Sequence, residues 1–385
     1  MGVLISNGNL LTVGGKLATA NAAPTTPYME AEYISEVDTN GNMNHYIEHA
    51  KLYNHTAIYM SEFSLQYKLQ NLDLSDASNN ITAIESEAFS AANVNGLVLP
   101  NTISVLGPGC FANAYISTLA VPPLVTVLPE SAFLYIHPIY NEETGEELPI
   151  NIILPQNLTK IRANCFQGAQ IKQITIPDTV TEIGSGAFYN CDRLASIRLP
   201  LGIQKISGNM FTYCESLASI TIPAAVTEIG LGAFMSSGLT TITIPSAVTT
   251  LGSGAFRYCE SLTSMDIQAS VTAIPDEFAL ECPLTSLILP NTLQTIGAAA
   301  FLRVNGVQVT ELTIPASVTS IGDNAFASNS LSQMTLTVLP TIPPTLGRDV
   351  FSLATGSVIK VPAASVAAYK AADGWKNYAS YIVAM

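Results

Sequence analysis

Leu217-Ala-Ser-Ile-Thr-Ile-Pro223, followed at once by Ala224-Ala-Val-Thr-Glu-Ile-Gly-Leu-Gly-Ala-Phe234, is one unit of a repeated pattern, and its reading decides the fold. Ile220 and Ile222 alternate with Ser219 and Thr221, the period of a short strand with one face inward, and Leu217 joins the inward set. Pro223 closes that strand. Because Pro cannot donate to a ladder, it must sit at a corner beyond the paired residues. Val226-Thr-Glu-Ile229 reads as a second short extended piece, and a turn then delivers Ala233-Phe234 to the interior.

The Phe that ends this unit recurs at 89, 111, 133, 166, 188, 211, 234, 256, 278, 301, 326 and 351, twelve of the thirteen Phe in the chain. All intervals are 22 to 25 residues except one of 33. Self-similarity at a fixed period is the mark of stacked repeats, which add coils without closing a single core. Four residues before Phe stand Gly107, Gly184, Gly230, Gly252, Gly297, Gly322 and Gly347, but also Pro129 and Arg162. Pro holds φ near −65°, so these glycines are expected to serve close packing between coils rather than a left-handed turn. A stack needs caps at its ends. Val358-Ile-Lys-Val-Pro362 reads as the last strand, and the Ala-rich stretch 363–372, stopped by Asp373-Gly374, as a capping helix beside Trp375. The expected organisation is a non-repeat anchor or cap over 1–65, about twelve coils over 66–356, and a C-terminal cap over 357–385.

The unit L-x-x-I-x-I-P-x-x-V-T-x-I-G-x-x-A-F-x-x-C resembles the BspA-like bacterial leucine-rich repeat over about 69–360. The ending Val361-Pro-Ala-Ala-Ser-Val-Ala-Ala-Tyr-Lys-Ala-Ala-Asp-Gly-Trp375 is similar to the C-terminal cap of that family. The resemblance implies a leucine-rich-repeat solenoid, a right-handed superhelix with one parallel strand per 22–25-residue coil and a short helical cap. For function it implies surface exposure, adhesion or ligand binding.

Only 11% of residues are charged, against roughly 25% in ordinary soluble proteins, and the net charge is −14. No basic patch offsets it, which argues against a nucleic-acid partner. No stretch approaches 18 uninterrupted apolar residues, so no membrane-spanning helix is expected. Residues 1–12 carry no Lys or Arg and do not read as a secretion signal; Met1-Gly2-Val3-Leu4-Ile5-Ser6 matches the loose myristoylation pattern.

His45-Tyr-Ile-Glu48-His49 matches the H-x-x-E-H signature, which on a helix would set two imidazoles on one face with a carboxylate nearby for zinc hydrolysis. Gly41-Asn42 and Asn54 leave room only for a short helix, so His45, Glu48 and His49 are read as surface residues, and no metal, cofactor or catalytic residue is assigned. The six cysteines occupy small positions beside the Phe column and read as free core thiols. Adjacent-coil pairs Cys191/Cys214 and Cys259/Cys282 nevertheless fall within disulfide range. Residues 135–149 account for the long interval. Glu142, Glu143, Glu146 and Glu147 surround a hairpin turn at Thr144-Gly145 and form an acidic insertion loop. Insertions on one face of a solenoid often mark the binding face.

The outward rows of the main strands supply the candidate binding residues Gln173, Thr175, Arg198, Thr221, Thr243, Asp266, Glu311 and Thr313. Regular Thr would suit ice, but Arg198 and Asp266 break the array, and β-propensity accounts for Thr equally well. The expected function is a non-catalytic extracellular or cell-surface protein presenting its sheet and loop edge to a protein or glycan ligand. The alternative is a phage virion component, a fibre or decoration protein anchored to its neighbours, or to further copies of itself, through residues 1–65.

Overall fold

The computed structural model describes all residues except 1–2, 7–8, 12–27, 38–42, 54, 60–61, 64–70, 75–78, 95–96, 142–143, 304–309 and 329–332. The chain forms two compact units, Met1–Val180 and Thr181–Met385. In each, coils of about 23 residues stack in parallel, with the predicted apolar positions inward.

The first unit holds five coils, marked by Phe63, Phe89, Phe111, Phe133 and Phe166. Their rings are fully buried and stack at 5.1–5.5 Å, nearly parallel. Phe63 belongs to this column although the sequence spacing leaves it out of the series. Phe133 and Phe166 remain 5.1 Å apart, so the 33-residue interval leaves the stack intact. Its extra residues form the expected hairpin, Ile139–Tyr140 antiparallel to Glu147–Leu148, with Gly145 at φ +69°. The second unit holds eight coils, from Phe188 to Phe351, and Trp375 covers the last ring at 6.0 Å.

Pro does close the strands. The Pro223 carbonyl accepts the Val226 N–H at 3.0 Å, and Pro122, Pro177, Pro245 and Pro315 do the same three residues on. Each Pro therefore opens a turn whose last residue is inward again. The second extended pieces form ladders of their own, such as Lys205–Ile206, Glu228–Ile229 and Thr250–Leu251. The stretch 217–222 sorts its side chains as expected but makes no ladder; its one main-chain bond to the following coil is Thr240 N–H to the Ala218 carbonyl, at 3.1 Å. Packing, not strand pairing, holds it.

The glycine column acts through space. A Cβ on Gly107, Gly230, Gly252, Gly297, Gly322 or Gly347 would press to 3.0 Å or closer on the backbone of the preceding coil. The left-handed conformations lie elsewhere, two residues before and after Phe: Gly109 and Asn113, Asn209 and Tyr213, Gly254 and Tyr258. There the backbone turns its N–H groups toward the next coil, as in Tyr213 N–H to the Met235 carbonyl at 2.9 Å.

One coil breaks the pattern. Ala279, not Phe278, occupies the backbone place of Phe: its N–H donates to the Ala300 carbonyl at 2.7 Å, while Phe256 donates to Phe278 at 2.8 Å. The large and small residues have exchanged places, so the Phe278 ring meets Phe256 and Phe301 edge-on, at 78° and 82°. This slip also explains why Cys282 lies four residues after its Phe while Cys259 lies three after.

At the N-terminus, Val3–Ser6, Asn9–Leu11, Tyr28–Val37, Met43–Tyr53 and Asn71–Asp73 form one five-stranded sheet. Met43–Tyr53 is antiparallel to Tyr28–Val37 along its length and parallel to Asn71–Asp73 at its end, so one strand leads from the hairpin into the coils. Below it, the buried His55 meets the Tyr53 carbonyl through Nδ1 at 2.9 Å and the Glu62 carboxylate through Nε2 at 3.0 Å. Two acceptors on one ring favour imidazolium. Burial pulls the His55 pKa down, but the Glu62 hydrogen bond and charge outweigh it and leave the group above its ordinary value of 6.5.

The C-terminal cap is as predicted, with a helix at Val366–Ala371. Trp375 Nε1 donates to the Pro344 carbonyl at 2.7 Å and the Tyr369 hydroxyl to Pro340 at 2.8 Å. Beyond it, Ile382–Ala384 adds an unforeseen strand, parallel to Val358–Val361.

Three outcomes follow from this architecture. In denaturant unfolding, Phe234→Ala should cost about 3–5 kcal/mol, and Gly252→Val about 1–3 kcal/mol because its new atoms have no room. Because the folded-state pKa of His55 is raised, its contribution to stability is complete below pH 6.5 and lost as pH rises through the folded value. Glu62→Gln should therefore flatten the dependence of the thermal midpoint on pH above 6.5, as read by calorimetry.

Candidate functional site

The H-x-x-E-H segment is not helical. It lies within the strand Met43–Tyr53, where His45 pairs with Ser35, His49 pairs with Glu32, and Glu48 falls at the register shift between them. Four residues of strand span about 13 Å, roughly twice the helical rise, so the zinc geometry that the motif requires is not formed. Pairing along an eleven-residue strand has overridden the local pattern. The side chains of His45, Glu48 and His49 lie outside the described residues, and among the described residues no cluster of His, Cys, Asp or Glu could hold a metal ion.

All six cysteines are free and buried. The thiols of Cys214, Cys259 and Cys282 donate to the Phe188, Phe234 and Phe256 carbonyls of the preceding coils at 3.2, 3.0 and 2.9 Å. Burial pushes the Cys214 thiol up to about 12 and Cys110 and Cys282 well above the thiol range. Thiols so protonated are poor nucleophiles.

The acidic insertion is split. Glu142 and Glu143 lie outside the described residues. Glu146 is exposed on the hairpin, and Glu147 pairs with Lys172 at 3.2 Å.

The candidate sheet residues divide between the units. Gln173 and Thr175 lie exposed on the strand Gln173–Thr175 of the first. In the second, Arg198, Thr221, Thr243, Glu311 and Thr313 are exposed and Asp266 is half-buried. Register sets Thr243 beside Asp266 and Asp266 beside Ile288, while Gln268 donates to the Asp266 carboxylate at 2.8 Å. Farther on, Thr313 pairs with Thr337 and Glu311 with Thr335. Thr337 is followed by Val338 and Leu339 before Pro340, one residue more than separates Thr313 from Pro315.

Two kinds of exposed Thr emerge. Thr227, Thr249, Thr263, Thr285, Thr319 and Thr345 each donate a hydroxyl to a carbonyl one coil earlier, at 3.2–3.3 Å. These hydroxyls are committed to the fold. Among the described residues none hydrogen-bonds the side chains of Thr175, Thr221, Thr243 or Thr313. Sequence reasoning treated all Thr alike, although position relative to Pro separates the two sets.

Among the described residues no helix is long and apolar enough to cross a membrane. No curated protein matches the chain. Solved structures similar to it include a leucine-rich repeat protein from Bacteroides ovatus, 19% identical over 92% of this chain and 98% of that one, with a TM-score of 0.47. The T. pallidum leucine-rich repeat protein is 28% identical over 44% and 86%, with a TM-score of 0.38. A leucine-rich cell surface protein from Faecalibacterium prausnitzii is 21% identical over 69% and 72%, with a TM-score of 0.41. The model of the BspA type leucine rich repeat region matches in six copies, over residues 44–140, 145–263 and 227–356. Those spans take in most of the coils whose Phe, Pro and Gly columns are described above, and the chain belongs to the BspA-type leucine-rich repeat family.

Proposed function

We propose that this chain is a non-catalytic binding protein that acts outside the cell or at its surface, presenting the outward rows of its main strands to a ligand on a host or bacterial surface. The observation that carries this reading is the set of uncommitted groups: Thr221, Thr243 and Thr313 offer hydroxyls that no described residue takes up, with Thr243 in register with Asp266 and Thr313 two residues from Glu311 on one strand. The family match supports it, because leucine-rich-repeat solenoids serve as scaffolds that offer extended surfaces to partners. A protein ligand suits these rows better than a glycan, since aromatic platforms for sugar stacking are missing from them. In this reading the residues ahead of the first coil, which Phe63 marks, serve as the anchoring module. The virion alternative draws no support from the family match.

The test is saturable binding of the fluorescently labelled chain to host epithelial cells and to bacterial cells. Thr221→Arg with Thr243→Arg should weaken it by about tenfold or more, equivalent to about 1.4 kcal/mol, while exposed substitutions of this kind leave stability within about 0.5 kcal/mol. Undiminished binding by the double variant would remove the sheet face from the function.

A further inference from the structure

The second unit carries a notch of about 330 Å³ on the edge that follows the Phe column, lined by Tyr213, Glu215, the small residues Ser236–Gly238, Tyr258 and Glu260. Its construction follows from the repeat. Tyr213, Ser236 and Tyr258 hold the same place, two residues after Phe, in three successive coils, all with φ of 55–60°. Coils are spaced by about 4.8 Å, so the two rings stand roughly 10 Å apart with only Ser236 between them. The motif Tyr-Cys-Glu-Ser-Leu occurs on both sides, at 213–217 and 258–262, and sets a carboxylate beside each ring. Left-handed backbone favours Gly and Asn, and Asn occupies the same column at Asn113 and Asn190. The turn itself gives no reason for Tyr.

Each ring is braced from the side away from the notch. Tyr189, one coil earlier, meets Tyr213 edge-on at 5.6 Å. Arg257, paired with Glu277 of the following coil, places its guanidinium 4.6 Å from the Tyr258 ring centroid and donates to the Tyr258 hydroxyl at 2.8 Å. Glu215 and Glu260 are exposed, and among the described residues neither has a basic partner. Covering two such carboxylates with a neutral ligand would desolvate them without compensation. A cation between two tyrosine faces would gain from both rings and both acids. Planar guanidinium fits a two-walled slot and a carboxylate fork better than a compact ammonium does. The fold already shows this recognition once, in Arg257 between Tyr258 and Glu277.

We infer that the Tyr213–Tyr258 notch is a binding site for a single arginine side chain presented by a partner polypeptide. It is separate from the sheet face and stands whether or not that face binds. The net charge of −14 would steer a basic partner toward it.

The probe is a fluorescein-labelled Gly-Ser peptide with one central Arg, titrated against the full chain by fluorescence polarisation, beside peptides with Lys or neutral citrulline in its place. The Arg peptide should bind at least tenfold more tightly than either and weaken with added salt. Tyr213→Asn with Tyr258→Asn suits the left-handed backbone, so it should keep or raise the thermal midpoint while reducing binding tenfold or more. Glu215→Gln with Glu260→Gln should do likewise without touching the rings. Equal binding of the citrulline or Lys peptide, or undiminished binding by either double variant, would overturn the assignment.

Discussion

No coil of this protein can bury its own Phe. The ring lies over the coil before it and under the coil after it, and the N–H of the same residue bonds the next coil, as Phe234 does to Ala255 at 2.8 Å. Side-chain stacking and main-chain pairing thus act at one position, and every other column adjusts to it. The glycines four residues earlier let neighbouring backbones approach. The left-handed residues on either side of Phe aim N–H groups along the stack. The constraint is local to the column: eleven extra residues leave as a hairpin, with Phe133 and Phe166 still 5.1 Å apart. It tolerates an exchange as well, since Phe278 and Ala279 trade places and the ring turns edge-on within the same filled core.

Each unit has a terminal coil to cover, and the chain covers the two by different means. Trp375 and Tyr369 present broad apolar rings to the last coil and send their polar atoms to the Pro344 and Pro340 carbonyls, so that large side chains are buried with no polar atom left wanting. The Ile382–Ala384 strand then takes up one edge of the sheet, the usual site of unwanted pairing. At the other end a single strand runs from a hairpin into the first coil, and the His55–Glu62 pair is buried beneath it.

With the interior fixed by columns, variation is confined to positions that face water, where two surfaces separate. On the sheet face, Thr221 and Thr243 carry hydroxyls that the fold leaves over, while Thr227 and Thr249 spend theirs on the coil before. On the edge after Phe, tyrosines occupy backbone positions suited to Gly or Asn, beside acids that have no basic partner among the described residues. Both proposals rest on residues that the coil geometry does not require.

The sequence alone determined the repeat, its period, the inward Phe, the corner Pro and the packing role of Gly, because each recurs in most coils and reports one environment many times over. It also carried, unread, the Gly and Asn that mark the left-handed turns. What occurs once was not legible. Phe63 stands 26 residues before Phe89, and only the stacked ring places it in the column. The Phe278–Ala279 exchange leaves the period almost unchanged, and only the main-chain register exposes it. His45–His49 reads as a helical motif until strand pairing, a contact with residues far away in sequence, extends it. The notch depends on Tyr213 and Tyr258 lying two coils apart, 45 residues in sequence and roughly 10 Å in space. Stacking creates that adjacency, so it belongs to the tertiary structure alone.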